Sequence, residues 1–324
     1  MDNLNNKIDY IDVYQIIRGG ACLFVAINHY AFFNKYGYGK CGVEFFVIIS
    51  GLLTALNAEK HNGLKTDYLL RKVIKLLPMY RLLTILIFAI GLILPNIFSS
   101  LKFNFENLVY SMCLIPGHTF YLYPGWTLTY FLVFYVVYFA ADRLSNHRDI
   151  TATIIIIAFV IIGKITNLFW PENIISNYAN PLLLEFMYGV VLFHILKFKQ
   201  GMKQLTPKSA YFVLLVIVII LFFDSYLGKR YLLPAILSSV AITLFYESYT
   251  GHNMVTKMLK EIGDISYVVY LFHPLIIRPI DKILLKLFET YNLLYFIGVL
   301  VSLIVCIAIC KAITTPLKKL HFLG

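Results

Sequence analysis

Val13-Tyr-Gln-Ile-Ile-Arg18-Gly-Gly-Ala-Cys-Leu-Phe-Val-Ala-Ile-Asn-His29-Tyr-Ala-Phe-Phe33 is long and apolar enough to read as a membrane-spanning helix, yet it carries an arginine and a histidine. At about 100° and 1.5 Å per residue, the interval between them closes about three turns, so Arg18 and His29 share one helix face about 16 Å apart along the axis. Ionisable groups are costly in a bilayer and usually line a bundle interior or a watery path. Arg stays charged and suits phosphate, whereas His exchanges a proton near neutral pH. The spacing therefore suggests a phosphate-bearing group held at one depth and proton-transfer chemistry at another. A snorkelling Arg with a His hydrogen-bonded for structure is the plainer alternative.

The rest of the chain agrees with a membrane fold. Its 324 residues are 60% hydrophobic and 14% charged, with a mean hydropathy of +0.76. A soluble domain cannot bury that much apolar surface; a bilayer solvates it. The 28 Lys and Arg against 17 Asp and Glu need no nucleic-acid partner, because basic residues collect in cytoplasmic loops. The expected fold is all-α and polytopic. Ten helices are placed at about 13–33, 43–57, 76–94, 126–141, 150–169, 181–197, 209–225, 231–247, 265–283 and 293–315. With the N-terminus inside, inner loops hold about twice as many Lys and Arg as outer ones, which puts both termini in the cytoplasm. The first helix carries Arg18 and has no small-residue cleavage site, so it reads as retained. The five cysteines form no CxxC or Cys/His metal pattern, and only Cys41 and Cys113 stand in segments where they could meet outside the membrane.

Several segments add polar chemistry. The hairpin 34–42 is short, so Glu44 begins the second helix at about the depth of His29, where a carboxylate could fix the imidazole tautomer and stabilise the imidazolium. A Glu facing interfacial water would look the same. In Leu70-Arg-Lys-Val-Ile-Lys-Leu-Leu-Pro-Met-Tyr-Arg81, Arg71 and Lys75 are i and i+4 on one face at an inner helix mouth. They suit a polyphosphate, or equally a lipid headgroup or a topology anchor. Pro78 could kink or break that helix. Trp126 and Tyr130 fit an aromatic belt. Glu185 and His273 are further polar residues in apolar helices. Each alone fits a bundle hydrogen bond; together they imply a polar interior and a possible acceptor path.

Taken in order, these segments resemble the acyltransferase-3 family of membrane O-acyltransferases. The resemblance rests on Arg18-x10-His29, on Gly42-Val-Glu-Phe-Phe-Val-Ile-Ile-Ser-Gly51, on the basic stretch from Arg71 to Tyr80 ending Pro78-Met-Tyr80, and on Pro124-Gly-Trp-Thr-Leu128. Leu184-Glu-Phe-Met-Tyr-Gly189 and Ile265-Ser-Tyr-Val-Val-Tyr-Leu-Phe-His273 are similar to later elements. Single motifs are weak, but the ordered set over 10–275 is specific. One departure stands out: related sequences usually carry a Glu three to four residues beyond Leu128, where this chain has Phe131 and Leu132.

The resemblance implies O-acyl transfer, most simply acetyl transfer from cytoplasmic acetyl-CoA, without a metal, to a hydroxyl of an exopolysaccharide, an O-antigen or its lipid-linked precursor. Its partners would be acyl-CoA, a carbohydrate acceptor and membrane lipids, in a bacterial cytoplasmic membrane. His29 and Glu44 would be catalytic, Arg18, Arg71 and Lys75 would bind the acyl-CoA, and Trp126, Tyr130, Glu185 and His273 would line the acceptor path. Residues 1–324 would form a single membrane acyltransferase domain with no extracytoplasmic esterase-like domain. A carrier, such as a lipid-linked glycan flippase, would also show many helices, buried charge and basic loops. It would be favoured by inverted repeats, and none is visible.

Overall fold

Apolar runs with few breakers leave the helix as the one local solution that satisfies its own backbone in a membrane, and all regular secondary structure among the described residues is helical. The computed structural model describes residues 5–94, 101–199, 233–249 and 253–319. In chain order the helices are α1 (Asn5–Asn28), α2 (Ala31–Tyr36), α3 (Gly42–Lys60), α4 (Tyr68–Ile93), α5 (Phe105–Met112), α6 (Gly125–Leu144), α7 (Arg148–Phe169), α8 (Ile174–Tyr178) and α9 (Leu182–Lys199). After a gap in the description follow α10 (Leu233–Ser248), α11 (Met254–Asp264), α12 (Ser266–Phe288) and α13 (Leu293–Lys319).

Nine of the ten expected spans have a helical counterpart here, and the expected helix at 209–225 lies outside the described residues. Six described stretches are long and apolar enough to cross a bilayer: Gly42–Lys60, Tyr68–Ile93, Gly125–Leu144, Arg148–Phe169, Ile174–Phe198 and Leu293–Pro316. The apolar windows of α7 and α13 are only 22% and 28% buried, so Ile154, Ile161, Leu300 and Ile304 stand exposed in rows suited to lipid. α1 and α12 are not among the six; in α12, Arg278, Asp281 and Lys282 interrupt the apolar run. Pro78 neither breaks nor ends its helix, since α4 runs through it.

The chain divides into two compact units, residues 1–52 with 188–323, and residues 53–187. The first is built around α1. Its N-terminal half lies against α11, where a Cβ on Gly19 would fall 1.9 Å from the Leu259 carbonyl oxygen and one on Gly263 would fall 1.9 Å from that of Gln15. Only glycine permits backbones to approach so closely. Lys260 of α11 pairs with buried Asp12 at 2.6 Å, and Asn253 and Thr256 close a capping box at the start of α11. The C-terminal end of α1 and the residues just beyond it are fastened to α12 and α13. Tyr30, fully buried, shares a 2.6 Å hydrogen bond with Ser302. The Ala31 N–H donates to Asp281 at 2.8 Å, whose other oxygen accepts from the Tyr295 hydroxyl at 2.7 Å. The return to α3 turns through Gly39, at φ +81°, pressed on Phe24. At the start of α3, a Cβ on Gly42 would fall 2.6 Å from the Ala21 carbonyl oxygen. Gly189 of α9 lies against Ile48 and Leu52 of α3, a Cβ there falling 2.0 Å from the Ile48 carbonyl oxygen.

In the second unit, Asp142 at the end of α6 accepts from the Leu64 N–H at 2.8 Å, and Arg143 donates to the Leu64 carbonyl at 2.6 Å, so the α3–α4 turn is tied to α6. Tyr80 of α4 donates to the Ser111 carbonyl at 2.9 Å. Phe134 stacks on Phe186 at 4.3 Å between ring centres. The described cysteines, Cys41 and Cys113 included, form no disulfide; Cys41 is buried and Cys113 exposed.

Candidate active site

α1 is continuous from Arg18 to Asn28, and His29 follows in its closing turn with its N–H on the Ala26 carbonyl at 3.1 Å, so the helical spacing read from the sequence carries to within one residue of the imidazole. The walls around the two side chains come from α3 and α12. The Arg18 guanidinium carbon lies 6.0 Å from the centre of the Phe46 ring. Phe46 contacts Tyr270 at 5.8 Å, Tyr270 contacts His273 at 5.8 Å, and His273 contacts His29 edge to face at 4.4 Å and 83°. An unbroken run of rings therefore connects the arginine to the two imidazoles, all within the first unit.

The geometry fixes the tautomer of both histidines. Nδ1 of His29 lies 2.9 Å from the carbonyl oxygen of Val25, one turn back. A carbonyl can only accept, so Nδ1 carries the proton and Nε2 carries the lone pair. His273 repeats this with the Val269 carbonyl at 3.2 Å, so it too is basic at Nε2. His29 is half-buried, whereas His273 is 1% exposed, and its Nε2 has no hydrogen-bond partner among the described residues. Leaving such an atom buried and unsatisfied costs about 1–3 kcal/mol, a penalty that packing alone does not explain.

Glu44 is 2% exposed, so it does not face interfacial water. It stands two residues past Gly42, whose Cβ position is 2.9 Å from the Val25 backbone nitrogen. That puts it on α3 at the level of the carbonyl holding His29. The tautomer role anticipated for Glu44 is filled by the Val25 carbonyl.

The other expected residues lie in the second unit. Arg71 is exposed and paired with Asp67 at 2.5 Å, and this hydrogen bond holds the Asp67 carboxyl below its ordinary value. Lys75 is exposed one turn on. Lys72, which the sequence reading passed over, is half-buried, with its ammonium 4.4 Å from the Tyr135 ring centre and 5.2 Å from that of Tyr68. Trp126 is half-buried, and Tyr130 is 7% exposed with its hydroxyl donated to the Asn177 carbonyl at 3.0 Å, a placement inside the protein rather than in a lipid-facing belt. Glu185 is fully buried. Phe131, one of the two positions at which the resemblance leads one to expect a Glu, packs edge-on against Phe186 at 5.0 Å. Among the described residues no three His, Cys, Asp or Glu side chains converge as metal ligands.

Phe46, Tyr270 and Lys72 are the residues that sequence reasoning missed. Phe46 and Tyr270 lie inside stretches that were singled out, Gly42–Gly51 and Ile265–His273, but which of their side chains turn toward α1 depends on helix rotation that no local pattern fixes.

Residues 8–311 match the family described as an acyltransferase domain, Acyl_transf_3. The chain is also similar to the exopolysaccharide production protein ExoZ of Rhizobium meliloti (strain 1021), with 22% identity over 300 residues that cover 88% of this chain and 92% of the relative. No solved structure matches it. The family match spans the arginine, both histidines and the helices that hold them, and the chain therefore belongs to the acyltransferase-3 family of membrane acyltransferases.

Proposed function

We propose that this protein transfers an acetyl group from cytoplasmic acetyl-CoA to a hydroxyl of a bacterial surface polysaccharide or its lipid-linked precursor, in the cytoplasmic membrane with both termini inside. The observation that carries this is the pairing, on one face of α1, of a guanidinium with an imidazole whose lone pair is held at Nε2. Arg18 would hold a CoA phosphate, and the flexible pantetheine arm can span the roughly 16 Å to His29. Nε2 of His29 is then the atom that meets the thioester or the acceptor hydroxyl. ExoZ, named for exopolysaccharide production, supports a polysaccharide acceptor. Arg71 and Lys75 are retained as proposed anion contacts on the second unit. The direct test is release of CoA from acetyl-CoA by the purified protein in lipid nanodiscs, with and without oligosaccharides from the host's own polysaccharide. Acceptor-dependent release is expected. A protein that moves lipid-linked glycan across vesicles without consuming acetyl-CoA would be a carrier.

Arg18→Ala should weaken acetyl-CoA binding by about 10- to 100-fold, and Arg18→Lys should recover only part of it, because a point charge replaces a planar fork. Isothermal titration reads this directly, and unchanged affinity in Arg18→Ala would move the phosphate site elsewhere. Glu44→Gln should keep the fold and substrate affinities but lower kcat by about tenfold or more, since an amide cannot stabilise an imidazolium as a carboxylate does. Glu185→Gln belongs in the same experiment. A rate loss confined to Glu185→Gln would reassign the supporting carboxylate, and two silent variants would remove it.

A further inference from the structure

His273 is buried, its Nε2 lone pair has no partner among the described residues, and its ring touches that of His29. An apolar residue of similar size would fill the place without the unsatisfied atom. His29 has its own constraint. Its Nδ1–H is committed to the Val25 carbonyl, so it has a single lone pair to offer. If that lone pair binds an acyl group, it cannot also accept the acceptor's proton, and the second half of the transfer needs another base.

We propose that the two imidazoles divide the transfer: Nε2 of His29 carries the acyl group and Nε2 of His273 takes the proton of the acceptor hydroxyl. This rests on the acetyl-CoA reading above. In the first step Nε2 of His29 attacks the thioester carbon, the C–N bond forms, the C–S bond breaks, and CoA leaves as the thiolate. The acyl-imidazolium keeps its Nδ1–H on Val25. In the second step the acceptor oxygen attacks the acyl carbon, the C–O bond forms and the C–N bond breaks, returning His29 to the neutral ring. The hydroxyl proton passes to Nε2 of His273. From there it goes to the CoA thiolate or to water, and both rings end neutral. No oxidant, reductant or metal is required.

The test separates the halves. Full-length protein in nanodiscs is given acetyl-labelled CoA without acceptor, then chased with de-O-acetylated oligosaccharides from the host's exopolysaccharide. Wild type should take up label on His29, located by tandem mass spectrometry, and lose it in the chase; His29→Ala should take up none. His273→Gln should load within about twofold of wild type yet release label to acceptor at least about 100-fold more slowly. His273→Asn, whose amide can reproduce the bond to Val269, serves where the Gln variant does not fold. A folded His273 variant that chases at the wild-type rate, or that fails to load, overturns the division of labour. So does wild-type transfer of acetyl to acceptor without any loading of His29, although that result leaves acetyl-CoA-dependent transfer intact. Neither loading nor transfer from acetyl-CoA would instead remove the reading of function beneath it.

Discussion

His29→Ala is expected to lower acetyl transfer by about 10²- to 10⁴-fold while acetyl-CoA still binds. The imidazole stands just past the C-terminal end of α1, about three turns beyond Arg18, and its lone pair is turned to Nε2 by the Val25 carbonyl. Removing it takes away the imidazole at the end of α1, and leaves Arg18, the proposed phosphate contact about three turns away, untouched. The fold should survive. The hydrogen bond lost is made to a carbonyl of the same chain segment, and the fastening of this end of α1 runs through Tyr30 and Ala31. Steady-state turnover beside titration of acetyl-CoA checks both halves of the claim. Near-normal turnover in the purified variant would show that the chemistry lies elsewhere.

The second large effect concerns two adjacent glycines. Gly19→Val should destabilise the protein by about 3 kcal/mol or more, because a Cβ there would sit 1.9 Å from the Leu259 carbonyl oxygen, and a main-chain atom cannot swing aside as a side-chain tip can. α1 and α11 would have to separate, displacing Arg18 next door. Gly20→Ala is the control: a Cβ at Gly20 meets nothing within 4 Å. There the gain in helix propensity, up to about 1 kcal/mol, should leave stability equal or higher and acetyl-CoA binding unchanged. Thermal unfolding in one detergent compares the pair. Equal melting of Gly19→Val and wild type would mean that the helices do not cross where described.

The sequence made the helices legible because apolar length is a strong local signal, and the face shared by Arg18 and His29 legible because helix periodicity is local too. The stretches of Glu44 and His273 could be marked on the same grounds. What could not be read is pairing at long range. Nothing near His273 says that its ring meets one some 240 residues earlier in the chain. Nothing near Val25 says that its carbonyl relieves Glu44 of fixing the tautomer. Tyr130 has the composition of an interfacial belt residue, yet Asn177 claims its hydroxyl. Of the ten spans read from apolar length, six stand out among the described residues as helices long and apolar enough to cross a membrane.

The fastening of α1 just beyond His29 bears on how donors are told apart. Tyr30 is hydrogen-bonded to Ser302, and the Ala31 amide to Asp281, so the backbone just after the imidazole is pinned to α12 and α13. With the donor phosphates at Arg18, as proposed, the helix becomes a calliper with both jaws set. Its gauge is the axial rise between the two side chains, with α1 helical throughout the interval up to Asn28. Discrimination among thioesters then falls to the dimensions of the carrier arm rather than to the acyl group at its tip, and a donor whose arm is cut short is refused by measurement, before any chemistry begins.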